Sequence, residues 1–136
     1  MKRCSKARNA AEVGLRLGFR SGLEAKVAAE LTAAGVYYDF EPFTVAFSRP
    51  ESLHKYTPDF LLPNGILIET KGRFVTADRQ KHLLIRRCNP TLDIRFVFSN
   101  PRQRIGKTSR TTYAMWCDKN GFKYAKGSIP KEWINE

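Results

Sequence analysis

The sequence predicts a single α/β domain in which helices flank a mixed β-sheet, and three observations indicate this fold class. The stretch 56–72, YTPDFLLPNGILIETKG, has two apolar runs joined by Pro-Asn-Gly, which is typical of a β-hairpin. Segments 21–35 and 76–88 have apolar residues at helical spacing, and residues 94–98, IRFVF, alternate as a strand. A chain of 136 residues, 42% of them apolar, provides one core and not two.

The composition indicates a partner and a compartment. The chain has 24 Lys and Arg against 13 Asp and Glu, a net charge of +11. This excess predicts a polyanionic partner, with nucleic acid as the default, because phosphate neutralisation supplies most non-specific affinity; a basic protein without such a partner is the alternative. Cys4, Cys88 and Cys117 have no CxxC spacing, so neither a disulfide framework nor a zinc site is indicated. No apolar run reaches the ~18 residues of a membrane span, and we expect a protein retained inside the cell.

The chain is predicted to consist of a flexible basic arm at residues 1–18 and a single domain at 19–136. Ser21 begins the first helix, and Gly35 is placed to end it. Glu24 lies three residues after Ser21, so a capping box is its simplest role. The arm and its junction carry cations that could follow a phosphate backbone, or could simply be solvated: Arg3, Lys6, Arg8, Arg16 and Arg20.

Residues 36–47 alternate as a half-exposed strand, which Pro42 must bend or place at a sheet edge. Residues 48–55 are predicted to be a polar connector stiffened by Pro50. His54 has no His or Cys nearby in the sequence, so a surface position is favoured over metal binding.

After the hairpin, the predicted helix 76–88 turns Ala77, Leu84 and Cys88 inward, and Leu83 and Ile85 widen this stripe. Its other face contacts either solvent or DNA and includes Arg79 and Lys81. A short helix near 112–120, a strand near 122–125 and a packed C-terminal segment at 129–134 complete the domain. The loop 101–110 has no acid and suits phosphate contact, with a solvated loop as the alternative; its cations are Arg102, Arg104, Lys107 and Arg110.

The register of the central hairpin decides what its polar residues can do. Pro63-Asn64-Gly65 suits a three-residue loop, a type I turn closed by a left-handed Gly. In that register Asp59 lies opposite Glu69, and Asp59, Glu69 and Lys71 share one face. A two-residue Asn-Gly turn would instead place Asp59 opposite Thr70.

Two carboxylates and an ammonium group at this place suggest phosphodiester cleavage. The reaction requires neutralisation of the scissile phosphate, a nucleophile at neutral pH and stabilisation of the leaving oxygen, all of which magnesium on hard oxygen ligands supplies. Asp59 and Glu69 are suitable ligands together with the Thr70 carbonyl, and Lys71 can offset negative charge. The alternative is a surface ion-pair cluster of the two acids around Lys71.

The motifs also carry a resemblance. Pro58-Asp59 followed by Glu69-Thr70-Lys71 is the PD…E-x-K pattern of restriction-endonuclease-like nucleases. Further segments make the chain, from Phe19 onward, similar to the phage endonuclease I family, the Holliday-junction resolvases of podovirus-type phages. These segments are FRSGLE (19–24), YTPDFLLPNGI (56–66), ETKG (69–72), KHLLIR (81–86), LDIR (92–95) and IP-x-EWI (129–134).

The resemblance implies a magnesium-dependent endodeoxyribonuclease, with manganese as a substitute, that resolves four-way junctions and branched DNA. It implies a restriction-endonuclease-like core, two ions per site and a strand-exchanged homodimer bridged by residues 47–55, acting in the cytoplasm of a bacterial host. Its catalytic set here would be Glu24, Asp59, Glu69 and Lys71, with metal held by Asp59, Glu69, the Thr70 carbonyl and Glu24. Glu24 would then act in trans. A non-catalytic basic DNA-binding module is the alternative function.

Overall fold

The structure is a computed structural model that describes residues 2–3, 19–49 and 52–136, with side chains for 19–47 and 54–136. Predictions about Cys4, Lys6, Arg8, Arg16, Pro50 and the side chain of Arg3 fall outside these residues. Within the described ranges, no helix is both long and apolar enough to cross a membrane.

A mixed sheet forms the centre of the domain, as the sequence predicts. The sheet has six strands, defined below, in the order β1-β2-β5-β6-β7-β8. The pairs from β1 to β6 are antiparallel, whereas β6 to β7 and β7 to β8 are parallel. The strands are β1 (Lys2–Arg3), β2 (Asp39–Phe40), β5 (Phe60–Leu61), β6 (Leu67–Lys71), β7 (Ile94–Phe98) and β8 (Tyr124–Lys126).

The hairpin of β5 and β6 has the three-residue loop and the register that its turn residues predict. Phe60 pairs with Ile68 and Leu61 with Leu67. The Leu62 N–H donates to the Ile66 carbonyl at 2.9 Å, and the Gly65 N–H donates to the Leu62 carbonyl at 3.0 Å. Gly65 has φ of 90°, a value that favours glycine. Asp59 is therefore one step beyond Phe60, facing Glu69.

Helices cover both faces of the sheet. Helix α1 (Gly22–Ala33) packs through Val27 and Leu31 on the face that carries Phe60 and Ile68. Helix α2 (Thr76–Cys88) packs on the other face, where Ile85 contacts the cluster containing Leu67. Helix α3 (Tyr113–Asn120) adds a cluster with Phe96 and Phe98, and α4 (Lys131–Ile134) inserts Trp133 into the α1 cluster. One face of the hairpin is consequently apolar core, while Asp59 and Glu69 lie on the face toward α2.

The polar connector predicted at 48–55 is wrong for residues 48–49 and 52–55. Residues 48–49 end β3 (Val45–Arg49), and residues 52–55 belong to β4 (Ser52–Tyr56), which pairs antiparallel with β3 in a separate two-stranded sheet. The polar composition of β4 hides the strand from sequence analysis. Among its described side chains, Tyr56 is 1% exposed, and His54 stacks on Phe47 at 5.4 Å. The predicted bend at Pro42 is confirmed, since the chain leaves β2 at Glu41, which has a positive φ of 47°, and resumes as β3.

The helix predicted at 76–88 forms, but only part of its predicted inward stripe is buried: Ile85 is buried, as predicted, and Leu83 is exposed. Ala77 and Cys88 are exposed and Leu84 is half-buried. The buried side chains are Arg79, His82 and Ile85. Because α2 covers polar as well as apolar parts of the sheet, its buried stripe is not its most apolar one.

Candidate active site

A cleft of about 350 Å³ lies at the open end of the β5–β6 hairpin, away from its turn. The hairpin register brings Asp59 and Glu69 to it from opposite strands, and the first turn of α1 brings Glu24 from the other face of the sheet. The three carboxylates are only 5–6% exposed. The residues lining the cleft are Arg20, Glu24, Thr57, Asp59, Glu69, Thr70, Lys71 and Lys81.

Asp59 is held by its neighbour across the hairpin. The Thr70 N–H donates to Asp59 Oδ2 at 2.9 Å, and the Thr70 hydroxyl donates to the same oxygen at 3.0 Å. Both donors use the same oxygen, Oδ2. Burial, reinforced by the negative charges of Glu69 and Glu24, raises the pKa of Asp59 to about 8, against the opposing effect of the Thr70 hydrogen bonds.

Glu69 has one oxygen bound to a tyrosine and the other close to a lysine. The Tyr56 hydroxyl donates to Glu69 Oε2 at 2.6 Å, and Lys71 Nζ lies 3.5 Å from Oε1. Burial raises the pKa of Glu69, and the positive charge of Lys71 and the Tyr56 hydrogen bond only partly offset it. Burial and the charge of Glu69 raise the pKa of Tyr56 well above its ordinary value, so the hydroxyl keeps the proton that it donates.

The alternative of a balanced ion-pair cluster around Lys71 does not fit these contacts. Lys71 Nζ divides its charge between Glu69 at 3.5 Å and Asp78 Oδ1 at 3.6 Å. Among the described residues, Asp59 has no cationic side chain within ion-pair distance. Arg20, Lys71 and Lys81 also line the cleft, but none of them contacts Asp59, so this buried carboxyl group favours a bound cation.

Glu24 combines a capping contact with a place in the cleft. The Ser21 hydroxyl accepts the Glu24 N–H at 3.0 Å, so half of the predicted capping box forms. The Glu24 carboxylate accepts from the Arg20 N–H at 2.8 Å, one residue earlier than the motif requires. The carboxylate is thus anchored beside Asp59, and both roles considered for Glu24 are compatible.

The donor set fits a hard divalent cation. In the described part of the chain, no three His, Cys, Asp or Glu side chains lie close enough to hold a metal by themselves. Magnesium does not require such a cage, because it is bound by one or two carboxylates and keeps several waters. Asp59 and Glu69 could supply the carboxylates, Thr70 lines the cleft with them, and Glu24 is near enough to influence the pKa of Asp59.

Sequence reasoning missed part of the site. Tyr56 and Asp78 carried no recognisable signal, because their contacts with Glu69 and Lys71 depend on how β4 and α2 pack on the sheet. Lys81, predicted on an outer helix face, lies at the cleft with its ammonium group 5.5 Å from the centre of the Tyr56 ring. Arg20 also lines the cleft and pairs with Glu41 at 2.8 Å.

The predicted outward orientation of Arg79 is wrong. Its side chain is 8% exposed, and its guanidinium donates to the Phe74 carbonyl at 2.6 Å and to the Thr76 hydroxyl at 2.9 Å. These bonds fix the turn between β6 and α2, so the guanidinium is used inside the domain.

A larger pocket of about 740 Å³ begins at Gly72, directly after Lys71. It is lined by Arg102, Arg104 and Lys107 from the predicted basic loop and by Arg73, and no acid contributes to it. The loop is closed by backbone hydrogen bonds, including those from the Tyr113 N–H to the Gln103 carbonyl at 2.9 Å and from the Ile105 N–H to the Thr111 carbonyl at 2.9 Å. Arg110 is exposed but does not line this basic pocket. Despite its size, the pocket lacks the carboxylates that the cleft provides for chemistry.

The chain is similar to known proteins over a range that includes the whole cleft. The model of phage endonuclease I matches residues 4–136. The chain is 52% identical over 118 residues to Endonuclease I of Escherichia phage T7, which covers 87% of this chain and 79% of that protein. It is also 52% identical over 118 residues to Endodeoxyribonuclease 1 of Enterobacteria phage T3, covering 87% of this chain and 78% of that protein. Every residue that lines the cleft falls within the matched family range.

Proposed function

The chain belongs to the phage endonuclease I family, and from this membership we propose that it is a structure-selective endodeoxyribonuclease. Its substrates would be four-way (Holliday) junctions and other branched DNA, which it would resolve by paired, metal-dependent nicks. That the protein is a phage endonuclease follows from the family. The single observation that supports the metal-dependent reaction is the convergence of Asp59 and Glu69, which are buried together while no cation of the described residues contacts Asp59.

Each cleft residue has a role in this reaction. Asp59 would be a ligand to both of two ions, Glu69 and the Thr70 carbonyl would help to hold one of them, and Glu24 would help to hold the other. Magnesium, or manganese in its place, would supply charge neutralisation at the phosphate and a nucleophile at neutral pH. Lys71, held between Glu69 and Asp78, would offset negative charge that develops on the phosphate.

Binding of the polyanion is assigned to the basic residues outside the acid cluster. The basic pocket adjoins the cleft at Gly72, so a strand cut in the cleft would continue over Arg102, Arg104 and Lys107. Arg20 and Lys81 border the cleft itself. Arg3, Lys6, Arg8, Arg16 and Arg110 stay predicted phosphate contacts.

The assembly is proposed from the same family relation. A restriction-endonuclease-like core, a homodimer with exchanged elements and the bridge at 47–55 would place two clefts for two symmetric cuts. In the single chain Glu24 lies in the cleft of its own subunit; the exchange would place it instead in the cleft of the other subunit. The site of action would be the cytoplasm of the bacterial host.

The function is tested with an end-labelled four-way junction incubated in magnesium, in manganese and in EDTA. We expect paired nicks with either metal and none in EDTA. Glu69→Ala should bind the junction without cutting it, whereas the exposed Glu132→Ala should cut as the unsubstituted protein does. Absence of nicks with both metals, or normal cutting by Glu69→Ala, would instead support a non-catalytic DNA-binding module, the function that the net charge of +11 also fits.

Junction selectivity and exchange need separate experiments. A linear duplex of the same sequence should compete poorly with the junction, and equal cutting of both would exclude structure selectivity. For exchange, Glu24→Ala and Asp59→Ala proteins are unfolded and refolded together. Sharing in trans gives each heterodimer one intact site and restores nicking, whereas sites within one chain give none.

A further inference from the structure

We propose that Tyr56 is a positioning residue that fixes the Glu69 carboxylate for metal binding. The inference rests on the proposed function and adds to it a side chain that the catalytic set does not include. The hydroxyl donates to Glu69 Oε2 at 2.6 Å, a short charge-assisted contact within a buried pair. Since Oε2 is bound to the hydroxyl, Oε1 is the oxygen turned toward Lys71 and available to a cation.

The Tyr56 ring is held so that its hydroxyl has little freedom. His82 contacts it edge-on with 5.2 Å between ring centres, and the Lys81 ammonium lies 5.5 Å from the ring centre. The ring belongs to the cluster that includes Phe47 and Ile85, and it is 1% exposed. A donor fixed by surrounding packing restricts the carboxylate that it contacts, as hydrogen-bonding partners of metal ligands do.

The position of Tyr56 in the chain makes the assignment independent of the assembly. It lies three residues before Asp59, and the segment between them crosses from β4 to β5. Tyr56, Asp59 and Glu69 therefore come from one chain even when Glu24 comes from another. The contact between Tyr56 and Glu69 therefore forms within each chain, whichever subunit supplies Glu24.

The experiment compares Tyr56→Phe with the unsubstituted protein, since this change removes the hydroxyl and keeps the ring. Manganese binding is measured by calorimetry on the DNA-free protein. We expect the dissociation constant to rise by about tenfold. Nicking should recover toward the unsubstituted rate at high manganese, while the KM for the junction is unchanged. The matched control is Tyr37→Phe, whose exposed hydroxyl contacts Asp39 at 3.5 Å, away from the cleft; it should bind manganese normally.

The outcomes separate this proposal from the proposed function. Unchanged manganese binding by Tyr56→Phe, beside normal binding by the unsubstituted protein, overturns the role of Tyr56 alone. No manganese binding by the unsubstituted protein overturns the metal-dependent function and the positioning role with it. Loss of folding in Tyr56→Phe, seen by circular dichroism, would show that the hydroxyl is structural and would also overturn the proposal.

Discussion

Two clusters of charged residues in this molecule are built from similar side chains and behave in opposite ways. In the first, Arg95 lies between Asp93 and Glu136, with a 2.8 Å contact to Asp93 and a second contact to Glu136. Its guanidinium is 3% exposed, but the Asp93 and Glu136 side chains are 49% and 44% exposed. One buried cation therefore serves two acids that water also solvates.

In the cleft the acids are buried, and the nearby cation is shared. Glu24, Asp59 and Glu69 are all buried, and the nearby Lys71 is shared with Asp78. The pKa directions express the difference: the Arg95 hydrogen bond lowers the pKa of Glu136 and raises that of Arg95, whereas burial raises the pKa of Asp59 to about 8. The first cluster stabilises the fold, while the second concentrates negative charge that a bound cation would neutralise.

The largest expected effect is on the nicking rate, which should depend on the acids of the cleft and not on those beside Arg95. Glu69→Gln removes a proposed metal ligand, so the nicking rate should fall by at least about 10³-fold, in the range of losing a strong transition-state contact. Junction affinity in EDTA should be retained. Glu136→Gln makes the same change in the Arg95 cluster and should leave the nicking rate unchanged; equal losses in both variants would contradict the distinction.

The next effect concerns stability, where two Asp→Asn changes should have opposite signs. At pH 9, above the pKa of about 8 that burial gives Asp59, Asp59→Asn removes a buried charge beside two other acids and retains an acceptor for the Thr70 N–H. We expect it to stabilise the metal-free protein by about 1–2 kcal/mol. Asp93→Asn weakens a half-exposed ion pair and should destabilise by up to about 1 kcal/mol. Thermal unfolding in EDTA measures both, and a destabilised Asp59→Asn variant would argue against charge crowding in the cleft.

The stability of the metal-free protein should depend on pH because of the raised pKa of Asp59. In the folded state Asp59 keeps its proton up to a pKa of about 8, whereas its ordinary value is 3.8. Between these values the unfolded chain binds fewer protons, so the free energy of unfolding should fall as pH rises from about 4 to 8. Asp59→Asn should flatten this dependence. Urea unfolding at several pH values measures it, and an equal slope in both proteins would count against the raised pKa.

The smallest effect separates affinity from chemistry. The double variant Arg102→Ala with Arg104→Ala removes two cations from the basic pocket. The slope of log binding constant against log salt should become less steep by about 1.8, since each lost phosphate contact contributes about 0.9. Nicking at saturating protein should be nearly unchanged. Lys131→Ala, an exposed cation on α4, serves as control, and equal salt dependence in all three proteins would exclude the pocket from the DNA interface.

Local chemistry was sufficient to predict the centre of the domain. The Pro63-Asn64-Gly65 loop determines the register that brings Asp59 opposite Glu69, and Ser21 and Gly121 lie at helix ends as their residue types predict. The resemblance to phage endonuclease I, based on dispersed motifs, is confirmed by the family match. These features depend on residues close in sequence or on fixed motifs.

Features that depend on packing were not predictable. The buried face of α2 holds Arg79 and His82, because the helix covers the polar end of the hairpin as well as Ile85 and its apolar partners. The β4 strand is polar in sequence and pairs only because β3 lies beside it. Tyr56 acquires its hydroxyl contact through the same pairing, so its relation to Glu69 emerges only from the tertiary structure.

The central claim is that the under-neutralised acid cluster, and not the balanced one, takes a divalent cation. Anomalous diffraction from crystals of the protein soaked in manganese tests this most directly. We predict a peak about 2.1 Å from carboxylate oxygens of Asp59 and Glu69, and none beside Asp93 and Glu136. The same map would show which subunit supplies Glu24. A cleft without a peak, or a peak at Asp93 and Glu136 instead, would contradict the account.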